Sequence, residues 1–149
     1  MAIAHETRLQ FTPAAVTVLV MDVDEGIRSV LGDLLQEVGY AVVTLGDIHE
    51  AKTLVNTATE PLVLVIGNAQ VPDYTGLEFF TEAAASSARR RHAYIYLTTD
   101  TYLTTVPGSS RQKELDQVLT SLGAQRLPKP FDLPSLLAGV DAASTRLYA

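Results

Sequence analysis

Residues 62–67 (LVLVIG) are apolar or small throughout, rich in Val and Ile, and show no alternation between apolar and polar positions. Such a run is short for a helix and predicts a strand covered on both faces, as strands of parallel sheets are. Residues 16–21 (VTVLVM) form a second run of this kind, residues 40–45 and 93–98 are further strands, and residues 125–128 a short edge strand. Between them the period changes. Ile27, Val30, Leu31, Leu34, Leu35 and Val38 fall at i, i+3, i+4, i+7, i+8 and i+11, one apolar stripe of a helix opening at Glu25 and stopped by Gly39. Asp47 followed by Glu50 has the spacing of a capping box, ahead of a helix with Ala51, Leu54, Val55 and Ala58 inward. A third helix follows Gly76 with Leu77, Phe80 and Ala84 on one side, and Arg89, Arg90, Arg91 and His92 close that segment. Residues 99–109 contain Pro107-Gly108 and read as a loop. Ser110 caps a helix with Leu115, Val118, Leu119 and Leu122 inward, and Asp132 caps a last one with Leu133, Leu136, Leu137 and Val140 inward. Strands alternating with helices and no hairpin anywhere predict an α/β fold. It is a doubly wound, five-stranded parallel sheet in three α/β/α layers, flavodoxin-like, with strand order 2-1-3-4-5.

Composition narrows this picture. The chain has 149 residues, 47% of them hydrophobic and 19% charged, which suits one domain with a sizeable core. Residues 1–14 are polar and aperiodic and are expected to form an N-terminal extension, the domain covering residues 15–149. A net charge of -6 disfavours a nucleic-acid partner and leaves acidic patches for proteins. The absence of cysteine excludes disulfides and thiolate metal sites. No apolar run approaches the roughly 18 residues of a membrane span, so the expectation is a soluble, cytoplasmic protein with no membrane partner.

Candidate chemistry concentrates where the strand of residues 62–67 ends. In an open parallel sheet the reactive groups lie just beyond the carboxyl ends of the strands, and the residue there is Asn68, followed by Pro72 and Gly76 as turn residues. An amide is neutral and its nitrogen lone pair is delocalised, so it cannot act as a carboxylate would. The first strand ends in Asp22, Val23 and Asp24. His5, His49 and His92 share no ligand spacing and are read as surface or internally satisfied histidines. Arg89 to Arg91 are read as solvated cations complementing a helix terminus, and Tyr94 and Tyr96 as packing residues.

The segments VLVMDVDEGIR, LVLVIGNAQVPDYTGLEF, YLTT and RLPKPFD, in that order, resemble the receiver domain of two-component response regulators over about residues 16–143. In that family an acidic pair ends the first strand, a phosphate-accepting aspartate the third, a Thr or Ser the fourth and a lysine the fifth. The resemblance places Asp22 at the first acid, Val23 at the second, Asn68 at the phosphoacceptor, Thr98 at the hydroxyl and Lys129 at the cation; Arg126 takes the place of the switch aromatic. Asp24 either reaches the site or starts the helix. Mg²⁺ binds through carboxylates and phosphate oxygens, and with Val23 and Asn68 in place only Asp22 of three expected acids remains. The expectation is therefore no phosphorylation of Asn68, no metal or other cofactor, and weak or absent Mg²⁺ binding. Asp22 is expected to pair with Lys129 directly or through Asn68.

What the resemblance implies is an atypical, stand-alone pseudo-receiver without catalytic residues. It would act in two-component or phosphorelay signalling by phosphorylation-independent contact with a histidine kinase or downstream effector, through the face of the last two helices, with a homodimer left open. The loop of residues 99–109 is longer than receivers carry and flanks the site. Two alternatives stay open: a flavodoxin-like small-molecule-binding domain, and a phosphorylatable receiver carrying an Asp-to-Asn change at position 68. Val23 counts against the second, since one change does not explain two losses.

Overall fold

The structure, a computed structural model, describes residues 12–67, 76–99, 110–129 and 131–148. A short 3-10 turn, Pro13–Ala15, leads into β1 (Thr17–Met21), followed by α1 (Glu25–Glu37), β2 (Ala41–Leu45), α2 (Ile48–Thr57) and β3 (Val63–Ile66). Then come α3 (Gly76–Ala85), a short α4 (Ser87–Arg90), β4 (Ala93–Thr99), α5 (Ser110–Leu122), β5 (Gln125–Lys129) and α6 (Leu133–Tyr148). The five strands form one sheet in the order β2-β1-β3-β4-β5, and every pairing is parallel. This is the flavodoxin-like arrangement anticipated from the alternation of strands and helices.

Because successive side chains of a strand point to opposite faces, each central strand feeds two cores. Leu19, Met21, Leu64, Ile66 and Tyr94 pack with Val55 of α2, Phe79 and Phe80 of α3 and Leu119 of α5. Val18, Val20, Val63, Val65 and Ile95 pack with Leu31 and Leu35 of α1 and Leu136 and Val140 of α6. All four residues of β3 are buried, which is why its run shows no polar alternation. The edge strand β2 is mostly exposed or half-buried. Gly39 at φ +107 and Gly123 at φ +67 end α1 and α5 in the left-handed region, where a side chain is strained.

Several sequence expectations shift. Val30 and Leu133, taken as inward, are 55% and 42% exposed. In α3 the buried residues are Phe79, Phe80 and Ala83, whereas Ala84 is only partly covered; the side chain of Leu77 lies outside the described residues. Ser86 interrupts the segment, accepting from Arg89 N–H as the N-cap of α4. Pro13 is buried and lies against Gly39; residues 1–11, and with them most of the expected N-terminal extension, lie outside the described set. No described helix is long and apolar enough to cross a membrane.

Candidate functional site

The carboxyl ends of β1, β3, β4 and β5 converge, and the register fixes how. Met21 lies opposite Ile66, Gly67 N–H donates to Met21 O at 2.7 Å, Thr98 lies opposite Pro128 and Thr99 opposite Lys129. Asp22 follows directly on Met21 and is fully buried. Its backbone N–H donates to Leu45 O at 3.1 Å, extending the ladder with β2 by one residue. Its Oδ1 accepts from Asp24 N–H at 2.9 Å, and its carbonyl oxygen accepts from Arg28 Nη1 at 2.7 Å. The first turn of α1 is thereby tied to the end of β1.

Gly67 has a role the periodicity does not announce. A Cβ there would stand 2.0 Å from Asp22 Oδ2 and 2.8 Å from its Cγ, so the carboxylate occupies space that only a glycine leaves. The available signal was an isolated Gly at the end of an otherwise bulky strand, which marks close approach. Val23 turns outward, 40% exposed. Asp24 is the N-cap of α1 and accepts from Ile27 N–H at 3.2 Å. Asn68 lies outside the described residues, as do the side chains of Thr98 and Lys129, and with them the pairing of Asp22 with Lys129 and the loop of residues 99–109.

Among the described residues no group of three or more His, Cys, Asp or Glu side chains could hold a metal ion. The donors described at this end fall short of a Mg²⁺ set, since the hard ion needs several oxygens. Position 23 offers a hydrocarbon, Asp24 is engaged in capping, and Asp22 keeps one oxygen on a backbone amide. Arg126 is exposed and turned onto α5, with Nη2 3.0 Å from Asp116 O and 3.3 Å from Asp116 Oδ1.

The amino ends of the strands hold a second polar cluster, which corrects the reading of Arg89 as solvated. Arg89 is 3% exposed. Its Nε donates to Asn56 Oδ1 at 2.8 Å, Nη2 lies 3.3 Å from Glu82 Oε1, and the guanidinium sits 5.7 Å from the Phe79 ring centroid. Burial of an arginine is tolerated here because carboxylate, amide and ring each compensate part of its desolvation. Arg91 behaves closer to expectation, donating to Ala88 O and Thr59 O at the surface. His92 is an internally satisfied histidine: Nδ1 accepts from Leu62 N–H at 2.9 Å and Nε2 lies 3.0 Å from Val55 O. A carbonyl only accepts, so Nε2 carries the proton and the ring is neutral. Burial pushes its pKa below the ordinary value, against the Val55 bond and with help from Arg91. Tyr94 is buried edge-on to Phe79 and Phe80, its hydroxyl donating to Arg89 O at 2.7 Å, and burial raises the phenol. Tyr96 packs edge-on against Phe80 at 5.2 Å.

No family model matches the chain, and no curated protein matches it by sequence. The solved structures it resembles include the chemotaxis protein CheY4 of Vibrio cholerae, 29% identical over 86% of this chain and 98% of that one, with a TM-score of 0.65. The beryllofluoride-activated NtrC4 receiver domain dimer is 27% identical over 89% of this chain and 98% of that one, with a TM-score of 0.66. A structure described as adenylate cyclase from Rhodopirellula baltica is 20% identical over 85% of each chain, with a TM-score of 0.66, and shows the fold alone. The chain has the receiver fold, and these receiver neighbours support a response-regulator role in two-component signalling.

Proposed function

We propose that the chain is a receiver-like module of two-component or phosphorelay signalling that works by protein contact and does not transfer phosphate, with no enzymatic activity of its own. The observation that carries this reading is Val23, an exposed hydrocarbon beside the buried carboxylate of Asp22 at the mouth of the strand ends. The sequence adds Asn68 at the position where the resemblance puts the nucleophile. Acyl-phosphate formation needs an anionic oxygen to attack and a divalent ion to offset the charge that gathers. Each substitution removes one of these requirements. The partners on this reading are a histidine kinase or a downstream effector, and a homodimer belongs to the same proposal. Incubation with acetyl phosphate and Mg²⁺ followed by intact-mass measurement tests it: the mass stays unchanged, whereas a gain of one phosphate mapping to the strand-end site overturns it.

A further inference from the structure

The two outer strands of the sheet differ in how they meet the outside. β5 carries Arg126, Pro128 and Lys129 within its five residues. Charge and proline on an edge strand oppose pairing with another chain. β2, at the other edge, reads Ala-Val-Val-Thr-Leu, without charge, proline or glycine. Its sequence does nothing to discourage a further strand.

The register shows which backbone groups β2 offers. Ala41 N–H donates to Val16 O and Leu45 O accepts from Asp22 N–H, both at 3.1 Å. In a parallel ladder a residue turns its N–H and C=O to one side, and the next residue turns its own to the other. Residues 41, 43 and 45 therefore serve β1, while Val42 and Thr44 present their backbone groups outward, where no described strand pairs with them. The side chains of Val42 and Thr44 lie against Gly32 of α1. Those of Ala41, Val43 and Leu45 take the α2 face, where Val43 is 38% exposed and Leu45, like Leu54 and Ala58, is only partly covered. Lys52 and Asn56 reach Glu82 and Arg89 from one flank of α2, which leaves Leu54 and Ala58 on the flank nearest β2. The edge is thus a neutral strand beside half-covered apolar side chains.

From this geometry we infer that the β2 edge is the interface for a second copy of this chain, the two β2 strands running antiparallel about a two-fold axis at Val43. That axis sets Val42 opposite Thr44 of the second copy, and the reverse, so the outward groups complete about four hydrogen bonds. Val43 faces its own copy in the closer, non-hydrogen-bonded pairing, where β-branched side chains pack well, and the small Ala41 meets the larger Leu45. The net charge of -6 does not oppose this arrangement. Asp47 and Glu50 follow the carboxyl end of β2, and the antiparallel order carries the two acidic ends apart. At about 3.3 Å per residue the two Asp47 residues stand about 25 Å from one another, well beyond a screening length of about 8 Å. Any strand satisfies outward backbone groups; the match of Ala41 to Leu45, and of acidic end to neutral end, selects this chain's own copy. The inference deepens the protein-contact reading above, which includes a homodimer, and places the contact away from the face of the last two helices.

Cross-linking and association measurements on the full-length protein test it. The chain has no cysteine, so Val43→Cys supplies a single thiol, and paired Cα atoms about 4.5 Å apart are within disulfide reach. With diamide as oxidant it should form the covalent dimer about tenfold or more faster than Val30→Cys, whose position on α1 is more exposed at 55%. Sedimentation equilibrium should show monomer passing to dimer as concentration rises. Val43→Asp should raise the dissociation constant about tenfold or more, since like charges directly opposite repel, and Arg126→Ala should leave it unchanged. Amide exchange at Val42 and Thr44 should slow with increasing concentration. A monomer at every concentration, a dimer indifferent to Val43→Asp, equal cross-linking of the two cysteine variants, or protection of Val42 and Thr44 independent of concentration would each overturn the inference. Cysteine is close to valine in size, so the cross-linking result stands even where Val43→Asp fails to fold. Phosphate uptake in the acetyl phosphate experiment would overturn the proposed function and leave the edge result intact, so the two failures are distinguishable.

Discussion

Asp22 and Gly67 show how one side chain dictates its neighbour's identity. With Asp22 Oδ2 2.0 Å from where a Cβ would stand, Gly67→Ala must displace the buried Asp22 side chain, and overpacking of this kind costs about 1–3 kcal/mol. Urea denaturation should show that loss, and the loss should shrink by more than about 0.5 kcal/mol in an Asp22→Ala background, because contacting sites are not additive. An equal loss in both backgrounds would place the strain elsewhere. His92 predicts a pH dependence. Its folded pKa lies below the unfolded value, so the unfolded chain takes up the proton first. Stability is then fully present above about pH 6.5 and is lost as pH falls toward the folded pKa, at up to about 1.4 kcal/mol per pH unit from this group. His92→Gln should flatten the slope of stability against pH in that window, and unchanged slopes would refute the assignment. The type of each residue was legible in the chain. Arg89 was misplaced because its burial depends on Asn56 and Glu82, which are 33 and 7 positions away in sequence.

At the scale of elements, capping and periodicity were readable because they are local. Asp47 accepts from His49 N–H and Asp132 from Ser135 N–H at the helix starts they were expected to open. Asp24 joins them, and its capping bond to Ile27 is part of the link between β1 and α1. Asp24→Ala should lower stability by about 1 kcal/mol and Asp24→Asn by much less, which a denaturant midpoint comparison would decide; equal effects would mean that charge rather than the cap matters. The Arg126–Asp116 pair, with both side chains 40% or more exposed, contributes little by comparison. Arg146 near the end of α6 donates to Leu122 O and Gly123 O, so the last helix satisfies carbonyls at the end of α5. No pattern within either helix announces that contact.

For the whole molecule, the missing acids should govern its response to divalent ions. An ion that binds only the folded state stabilises it by about 2.7 kcal/mol at a hundred times its dissociation constant. Millimolar Mg²⁺ should therefore leave the unfolding temperature of the protein unchanged and raise it in a Val23→Asp, Asn68→Asp variant; a rise in the unmodified protein would contradict the proposed function. The hydrophobic pattern was sufficient for strand identity, the places of the long helices and, through the rules of parallel connection, the strand order, because backbone hydrogen bonding and apolar burial impose fixed periods on any chain. Which apolar positions are covered was settled by assembly. The stripe of α1 is wider than the surface β1 and β2 offer it, so Leu31 and Leu35 are buried while Val30, on the same stripe, faces solvent. Three-dimensional packing also decided that Gly67 makes room for Asp22 and that a guanidinium lies under the sheet's amino end, since both depend on groups brought together from separate elements, a proximity that no local period encodes.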